Sequence, residues 1–284
     1  MSIAGAQEKT ALLRVEDQWL KPKGGTATTH ILKPQIGRLP NGVDLSNSVE
    51  NEYLCLKLLE AFAVPTPQVE IADFGHRRTL IIERFDRRWT KDGRLLRLPQ
   101  EDMCQALSVP PMRKYESDGG PGMADIMRLL KGSDIPDQDT ATFLRTVVLF
   151  WMIGATDGHA KNFSLFLGPG GRFRMTPLYD VLTAQPSLAD GQIQRKSFKL
   201  AMSVGINRHY RVDDIVPRHF RQTADMAGIG LAVLSSIVAE LAAGALAKAE
   251  QVVAALPVRF PDELVRPVLE AIEHRARLLA QFVP

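Results

Sequence analysis

An apolar segment that runs directly into a polar loop constrains this chain more than any other feature. Residues 143–153 read F-L-R-T-V-V-L-F-W-M-I, and residues 154–164 continue G-A-T-D-G-H-A-K-N-F-S. The apolar residues predict a buried helix. Packing alone gives no reason for an Asp, a His, a Lys and an Asn directly after such a helix. We therefore predict that Asp157 and Asn162 belong to a functional site.

Length, charge and cysteine content restrict the class of protein. A chain of 284 residues fits one large domain or two lobes around a shared cleft. The net charge of +3 permits an anionic ligand but does not demand nucleic acid. The two cysteines lack metal-ligand spacing, and the first residues lack the pattern of a signal peptide. The longest apolar run, Val147–Ala155, is far shorter than a membrane span, so we expect a cytoplasmic protein without membrane contact.

The first part of the chain predicts strands and one helix. Four-residue spacing of apolar residues predicts a helix that ends at Phe62, with Asp44 or Ser46 as its N-cap. Runs rich in β-branched and apolar residues, separated by turn residues, predict two hairpins. Their strands are Thr10–Val15 with Gln18–Leu20, and Val69–Phe74 with Arg78–Glu83.

The rest of the chain predicts mainly helices. These are Asp139–Ile153, Leu231–Leu256 and Asp262–Phe282, with a short hairpin of Phe163–Leu167 and Phe173–Met175. A small β-rich lobe is thus followed by a larger helical lobe. Together with the pattern of Asp157, Asn162 and Asp180, which is typical of phosphoryl transfer, these elements predict an α+β, two-lobed, protein-kinase-like fold. Residues 1–86 are the predicted β-rich N-lobe, with a phosphate loop and an ATP-binding Lys. Residues 87–284 are the predicted, mainly helical C-lobe, with the catalytic and metal-binding loops.

The spacing of polar residues near the apolar helix is typical of phosphoryl transfer. Asp157 and Asn162 form a D-x-x-x-x-N pattern, in which the Asp orients the substrate hydroxyl and the Asn binds Mg²⁺. Asp180 follows 23 residues after Asp157, just beyond the predicted hairpin, where a kinase carries its second metal ligand. Carboxylate and amide oxygens suit this hard cation. The alternative is that Asp157 caps a turn and Asp180 caps a helix.

A lysine on a strand is the next part that a kinase site requires. Lys33 ends the predicted strand Thr28–Lys33 and could reach phosphate oxygens if a helical Glu held it. Glu50 and Glu52 both lie on the following helix, and we favour Glu52. Taken alone, Lys33 is more typical of an exposed residue at a strand end, but the downstream pair of Asp157 and Asn162 reverses that interpretation.

Two further segments are predicted to bind the nucleotide. Small residues around Gly5, in S-I-A-G-A-Q-E-K-T, would let backbone N–H groups approach phosphate oxygens, although the segment is not a Walker motif. The segment that ends in E-R-F-D would be the hinge, with Phe85 against adenine and Asp86 near the ribose hydroxyls. The predicted ATP-binding residues are Ala4, Gly5, Ala6, Lys9, Lys33, Glu83, Phe85, Asp86 and Tyr179.

His159 lies two residues after Asp157. Because kinases use the carboxylate as the base, we expect His159 to be a structural residue that makes hydrogen bonds within the loop. No second His or Cys stands at metal-ligand spacing, which argues against zinc.

Five segments of the chain resemble the HipA family of bacterial serine/threonine kinase toxins. They are S-I-A-G-A-Q-E-K-T-A-L-L, E-R-F-D-R-R-W, L-R-L-P-Q-E-D-M-C-Q, K-Y-E-S-D-G-G-P-G and I-G-A-T-D-G-H-A-K-N-F-S. The resemblance spans nearly the whole chain. It implies ATP and Mg²⁺ as cofactors, Asp157 as the catalytic Asp, Asn162 and Asp180 as metal ligands, and Lys33 as the phosphate-binding Lys.

The resemblance also implies a biological role. Ser2 matches the serine that the family autophosphorylates, which moves the phosphate loop out and silences the kinase. The expected substrate is an aminoacyl-tRNA synthetase, typically the glutamyl enzyme, so that translation stops and dormancy or persistence follows. The expected partner is HipB, a small helix-turn-helix antitoxin that contacts operator DNA. Members of the family carry an N-terminal subdomain before the phosphate loop, so we expect either a fragment or a separate chain that supplies it.

Two other functions remain open at the level of sequence. A small-molecule phosphotransferase of the antibiotic or choline type shares the fold but usually has a His two residues before the catalytic Asp, where this chain has Ala155. The other alternative is a truncated toxin that only binds its antitoxin and assists repression.

Overall fold

Strands dominate the first third of the chain and helices the remainder. The structure is a computed structural model, and it describes residues 7–282. The elements up to residue 83 are β1 (Thr10–Val15), β2 (Gln18–Leu20), β3 (His30–Pro34), β4 (Gly37–Arg38), β5 (Asp44–Leu45), α1 (Ser48–Ala61), β6 (Val69–Phe74) and β7 (Arg77–Glu83). They are followed by β8 (Arg87–Trp89), β9 (Leu95–Arg97), β10 (Gln100–Asp102), α2 (Met103–Ala106), α3 (Met123–Leu130), α4 (Pro136–Ile153), β11 (Ser164–Leu167), β12 (Phe173–Met175), α5 (Gln185–Ala189), β13 (Lys199–Val204), β14 (His209–Arg211), α6 (Pro217–Met226), α7 (Leu231–Ala254) and α8 (Asp262–Ala280).

An antiparallel sheet of order β2-β1-β3-β7-β6 forms the N-terminal part of the structure. The hairpin of β1 and β2 turns at Glu16 and Asp17, which adopt positive φ angles of 47° and 64°. The β6–β7 hairpin turns at Gly75, whose φ is 62°. Both hairpins predicted from the sequence are confirmed. The sheet falls within residues 1–86, but the division of the chain at residue 86 stays a prediction.

Helix α1 begins later than its predicted caps. Asn47 precedes it and makes no side-chain capping hydrogen bond. The prediction of Asp44 or Ser46 as N-cap is wrong, because the Asp44 carboxylate instead accepts a hydrogen bond from the Ser46 backbone N–H at 2.9 Å. Such a local bond competes with capping in short Asp turns. The hydroxyl of Ser48 accepts from the Ile36 N–H at 2.8 Å and fixes the start of the helix to the preceding loop.

Helix α1 is buried on most of its surface because it packs on two sides. Val49 belongs to a small cluster with Leu80 and Ile82 of β7, on the inner face of the sheet. Leu54 and Leu58 belong to the large core that continues into α4, α7 and α8. Because α1 packs against both the sheet and the helical core, a side chain on α1 is fixed relative to both.

Helix α4 lies in the centre of the helical part, as the apolar segment predicted. Its residues from Val147 to Ile153 are almost fully buried. Trp151 donates its indole N–H to the carbonyl of Val212 at 3.1 Å, and Arg275 of α8 donates to the carbonyl of Met152 at 2.9 Å. These bonds fix the C-terminal end of α4, where the polar loop begins.

Helix α7 is long and apolar enough, by length and composition, to cross a membrane. Its most apolar window has a mean hydropathy of 1.6, and 28% of that window is buried in the structure. Leu234, Ile237 and Leu241 are buried in the core, as predicted for the apolar stripe of this helix. The neighbours of α7 include α8, α1 and α6.

The glycine at the end of α4 allows a specific test of this packing. Gly154 has a left-handed conformation (φ 69°), and a Cβ there would lie 2.7 Å from Cζ of Phe198. We expect Gly154→Ala to lower the free energy of unfolding by about 2 kcal/mol or more, through backbone strain and overpacking. Urea denaturation measures the change.

Gly244 provides a matched control on α7. A Cβ at this helical position meets no atom within 4 Å. Gly244→Ala is therefore expected to raise stability by about 0.5–1 kcal/mol, as alanine does in an open helix position. Equal effects of the two substitutions would contradict this description of the end of α4.

Candidate active site

A buried lysine with two carboxylate partners lies where the sheet meets the helical part. The ammonium Nζ of Lys33 is 2.8 Å from Oε1 and 3.0 Å from Oε2 of Glu52. The same Nζ is 2.9 Å from Oδ1 of Asp180. Lys33 comes from β3, Glu52 from α1, and Asp180 from the segment after β12. The cluster therefore joins three distant parts of the sequence.

The charge of Lys33 is stabilised by these partners. Lys33 is only 5% exposed to solvent. Burial by itself would lower the pKa of Lys33, but Glu52 and Asp180 raise the pKa above its usual value. Glu50, the other candidate partner, instead forms an ion pair with Arg78. The two glutamates of α1 thus face different cations, and Lys33 contacts Glu52.

Asp180 combines a strained backbone with a partly accessible carboxylate. Its φ of +60° is uncommon for a residue with a Cβ, and such conformations concentrate at functional sites. The side chain is 39% exposed. Burial would raise the pKa of Asp180, but Lys33, followed by Lys9 and His159, holds the pKa below the usual value. The carboxylate is therefore ionised and open on one side.

Asn162 lies on a single helical turn, Ala160–Asn162, directly beside Asp180. Its side-chain Nδ2 donates to the backbone carbonyl of Asp180 at 3.0 Å. With the NH₂ group engaged in this way, the amide oxygen of Asn162 is left to accept or to bind a cation. The preceding Gly158 must be a glycine, because a Cβ there would lie 2.4 Å from the ring of Phe150.

Asp157 lies at the start of the polar loop with a side chain that is 60% exposed. Its Oδ1 accepts a hydrogen bond of 2.6 Å from the hydroxyl of Tyr115. Sequence reasoning did not identify Tyr115, which lies 42 residues before Asp157. The available signal was its place in K-Y-E-S-D-G-G-P-G, one of the five segments that carry the family resemblance.

His159 is buried, and its ring and its backbone differ in their contacts. Its Nε2 is 4.0 Å from Oδ2 of Asp157, which is beyond hydrogen-bond distance, and its Nδ1 has no partner within residues 7–282. Burial lowers the pKa of His159 despite the nearby Asp157. The backbone N–H of His159 donates to the carbonyl of Asp157 at 2.8 Å, and its carbonyl accepts from the Asn162 N–H at 2.9 Å. The predicted hydrogen bonds within the loop are therefore made by the backbone of His159 and not by its ring. The neutral ring packs edge-to-face against Tyr115, with centroids 5.1 Å apart.

Aromatic rings line the neighbouring surface. Phe85, from the segment after β7, lies 5.7 Å from Tyr179 and 5.8 Å from Phe166 between ring centroids. The hydroxyl of Tyr179 is 2.5 Å from that of Ser164 and donates to the carbonyl of Lys161 at 3.1 Å. These bonds fix Tyr179 next to Asp180. The three rings form an apolar surface at the junction of the two parts.

Asp86 lies near this surface within a cluster of arginines. Arg84 donates to both carboxylate oxygens, at 2.9 and 2.8 Å, and Arg87 donates to Oδ2 at 2.6 Å. Burial would raise the pKa of Asp86, but the hydrogen bonds and charge of Arg84, followed by Arg87, keep the pKa below its usual value. Glu83, at the end of β7, is exposed. A role of either acid in nucleotide binding stays a prediction.

The predicted phosphate loop lies largely outside the part of the chain that the structure describes. Ser2, Ala4, Gly5 and Ala6 all fall outside residues 7–282. Lys9 is described, and its pKa is lowered by burial and by the charge of Lys33, with Asp180 and Glu52 acting in the opposite direction. Lys9 is therefore within electrostatic reach of the buried cluster.

The chemistry of Asp180 and Asn162 fits a magnesium ion. Asp180 would offer an ionised carboxylate oxygen and Asn162 an amide oxygen, a donor set that Mg²⁺ accepts. Within the described residues, no group of three or more His, Cys, Asp or Glu side chains could hold a metal. The ion would thus complete its shell with water and phosphate oxygens, as Mg²⁺ does in kinases. A bound Mg²⁺ would neutralise charge on the phosphates.

Comparison with known proteins identifies the class and then the family. Over 97% of its length, the chain superimposes with a TM-score of 0.81 and 24% identity on HipA in the Shewanella oneidensis complex of HipA, HipB and operator DNA. The proinflammatory kinase CtkA of Helicobacter pylori matches 98% of the chain with a TM-score of 0.59 and 10% identity. The chain therefore has the predicted α+β, protein-kinase-like fold.

Residues 1–252 match the family described as HipA-like C-terminal domain. The chain belongs to this family, as the resemblance predicted.

Curated relatives carry kinase names. "Putative kinase Y4mE" of Sinorhizobium fredii is 36% identical over 234 residues, which is 81% of this chain and 52% of the relative. The serine/threonine-protein kinase toxin HipA of Shewanella oneidensis is 26% identical over 244 residues, again 81% of this chain and 52% of the relative. The chain thus spans about half the length of the curated relatives it matches.

The arginine cluster around Asp86 predicts an acid-sensitive contribution to stability. A carboxylate with a lowered pKa stabilises the fold above its unfolded-state pKa, near 4, and this contribution is lost as the pH falls through the folded-state value. We expect Asp86→Asn to lower the free energy of unfolding by about 3 kcal/mol at pH 7, because two largely buried arginine side chains lose their partner. The difference from wild type should shrink below about pH 4, as measured by urea denaturation across pH.

Asp190→Asn is the matched control for this experiment. Asp190 is exposed at the end of α5, and its carboxylate forms no ion pair within residues 7–282. This variant should follow the wild type at every pH. If the free energies of unfolding of wild type and Asp86→Asn differ by the same amount at every pH, the ion pairs of Asp86 are not the source of the acid-sensitive stability.

Proposed function

We propose that this chain is an ATP-dependent protein serine/threonine kinase. The observation that carries the proposal is the buried contact of Lys33 with both Glu52 and Asp180. In phosphoryl transfer a strand lysine held by a helical glutamate positions phosphates, and a nearby acid binds the metal. Glu52 already engages Lys33 through both carboxylate oxygens, and the second partner, Asp180, keeps a partly accessible carboxylate, which supports a role in ligand binding.

Each residue of the site has a proposed role in this reaction. Lys33 binds phosphate oxygens and keeps its orientation through Glu52. Asp180 and Asn162 hold the magnesium ion, while Phe85 and Tyr179 offer the apolar surface for the base. Asp157 accepts a hydrogen bond from the attacking serine hydroxyl and orients it for in-line displacement. Its exposed side chain is accessible to a protein substrate.

The proposed biological role is that of a toxin of a type II toxin–antitoxin module. The family membership and the HipA-like fold support it. The proposed substrate is an aminoacyl-tRNA synthetase, with the glutamyl enzyme as first candidate, and autophosphorylation at Ser2 is the proposed means of silencing. The structure on which the chain superimposes is a complex with HipB and DNA, which supports a HipB-like antitoxin as partner. A separate N-terminal chain remains a second candidate partner.

The proposed kinase activity depends on Asp157. Asp157→Asn should reduce phosphate transfer about 100-fold or more, since the side chain can no longer accept the serine proton. Nucleotide affinity should change less than about threefold. Radiolabelled ATP with Mg²⁺ and glutamyl-tRNA synthetase measures transfer, calorimetry measures affinity, and intact mass with peptide mapping tests Ser2.

Asp137→Asn is the control, because Asp137 lies in the first turn of α4, at the end opposite to the Asp157 loop. It should retain wild-type transfer. Wild-type protein that binds ATP but transfers no phosphate to the synthetase or to itself would contradict the kinase proposal and favour a binding module. Transfer only to a small molecule such as an aminoglycoside or choline would favour the other alternative.

A further inference from the structure

Tyr115 lies against the carboxylate of Asp157 and makes a short hydrogen bond to it. The Tyr115 hydroxyl donates to Oδ1 of Asp157 at 2.6 Å. It is the only side-chain hydrogen-bond donor to this carboxylate among the described residues. An exposed aspartate that follows a tight turn would otherwise rotate freely about its χ angles. One short, charge-assisted bond from a fixed donor removes that freedom.

The backbone around Tyr115 is fixed on both sides. The carbonyl of Lys114 accepts from the Ala160 N–H at 3.3 Å, which ties this segment to the loop that carries Asp157. The carbonyl of Tyr115 accepts from the Gly120 N–H at 2.9 Å. The carboxylate of Glu116 accepts from the backbone N–H and the hydroxyl of Ser203, at 2.5 and 2.8 Å. The segment is thus anchored to two separate elements.

Close packing explains why this segment contains glycines. A Cβ at Gly120 would lie 2.1 Å from the carbonyl oxygen of Arg113 and 2.7 Å from that of Tyr115. The turn therefore closes directly onto the backbone of Tyr115. It holds the tyrosine in one orientation.

The tyrosine ring is also held in place. The His159 ring packs against it edge-to-face, and Nζ of Lys114 lies 4.9 Å from the ring centroid on its face. Burial, followed by the hydrogen bond to Asp157, raises the pKa of Tyr115 above its usual value. The hydroxyl is therefore a stable donor at neutral pH.

We propose that Tyr115 is a positioning residue for phosphoryl transfer, which fixes Oδ1 of Asp157 and leaves Oδ2 to accept the hydroxyl of the substrate. This inference rests on the proposed function. Tyr115 acts through Asp157 and does not contact the nucleotide in this role. Its loss should therefore affect the rate of transfer and not the binding of ATP.

The test is Tyr115→Phe, which removes the hydroxyl and keeps the ring. We expect the maximal rate of phosphate transfer to fall about tenfold, the effect of one lost hydrogen bond to a charged group. The ATP concentration for half-maximal rate should stay within about twofold. The acceptors are glutamyl-tRNA synthetase and the chain itself. Tyr210→Phe is the control, since among residues 7–282 its hydroxyl accepts a surface hydrogen bond from Arg208 alone, and it should behave as wild type.

A second measurement tests the hydrogen bond without any activity. The chain has four tyrosines, so the ¹³C resonance of the Tyr115 ring can be assigned in tyrosine-labelled protein by its absence in Tyr115→Phe. Asp157→Asn should shift this resonance and leave that of Tyr210 unchanged.

An active wild type with an equally active Tyr115→Phe would overturn the positioning role and leave the kinase proposal intact. A Tyr115 ring resonance that does not respond to Asp157→Asn would likewise overturn the positioning role and leave the kinase proposal intact. Absence of transfer by the wild type would instead contradict the proposed function, and the positioning role with it.

Discussion

The ion cluster of Lys33, Glu52 and Asp180 is the interaction on which the rest of the structure depends. A single buried ammonium group requires compensation, and removal of one partner from a buried ion pair typically costs about 3–5 kcal/mol. Glu52 engages Nζ through both carboxylate oxygens, at 2.8 and 3.0 Å. The sheet, helix α1 and the segment after β12 must therefore stay in register, because each supplies one charge.

Helix α1 carries this constraint from the sheet to the helical part. It packs on β6 and β7 with one face and on α4 and α7 with another. Asn51, one residue before Glu52, exchanges two hydrogen bonds of 2.8 Å with the backbone of Thr183, three residues beyond Asp180. A shift of α1 would break these bonds together with the Lys33 pair. The polar and apolar contacts of the helix thus specify the same position.

Much of the fold was predictable because local signals agreed with the tertiary structure. Turn residues marked the hairpins at Glu16 and Gly75, and apolar periodicity marked α4, α7 and α8. The start of α1 was not predictable, since Asp44 uses its carboxylate in a local turn instead of a cap. The short pairs β8–β9 and β13–β14 also lack a strong local signal. In the site, Asp180 stood out by its spacing from Asp157 and Lys33 by its place at the end of a strand, whereas Tyr115 reaches Asp157 only through tertiary packing.

The most direct test of the central claim is calorimetric titration of the chain with a non-hydrolysable ATP analogue, with and without Mg²⁺. If the cluster around Lys33 forms a magnesium–nucleotide site, Mg²⁺ should raise the affinity about tenfold or more. Asp180→Asn should lose that gain, because its amide no longer supplies an ionised oxygen. Equal affinity of the wild type with and without Mg²⁺, or an undiminished gain in Asp180→Asn, would contradict the account.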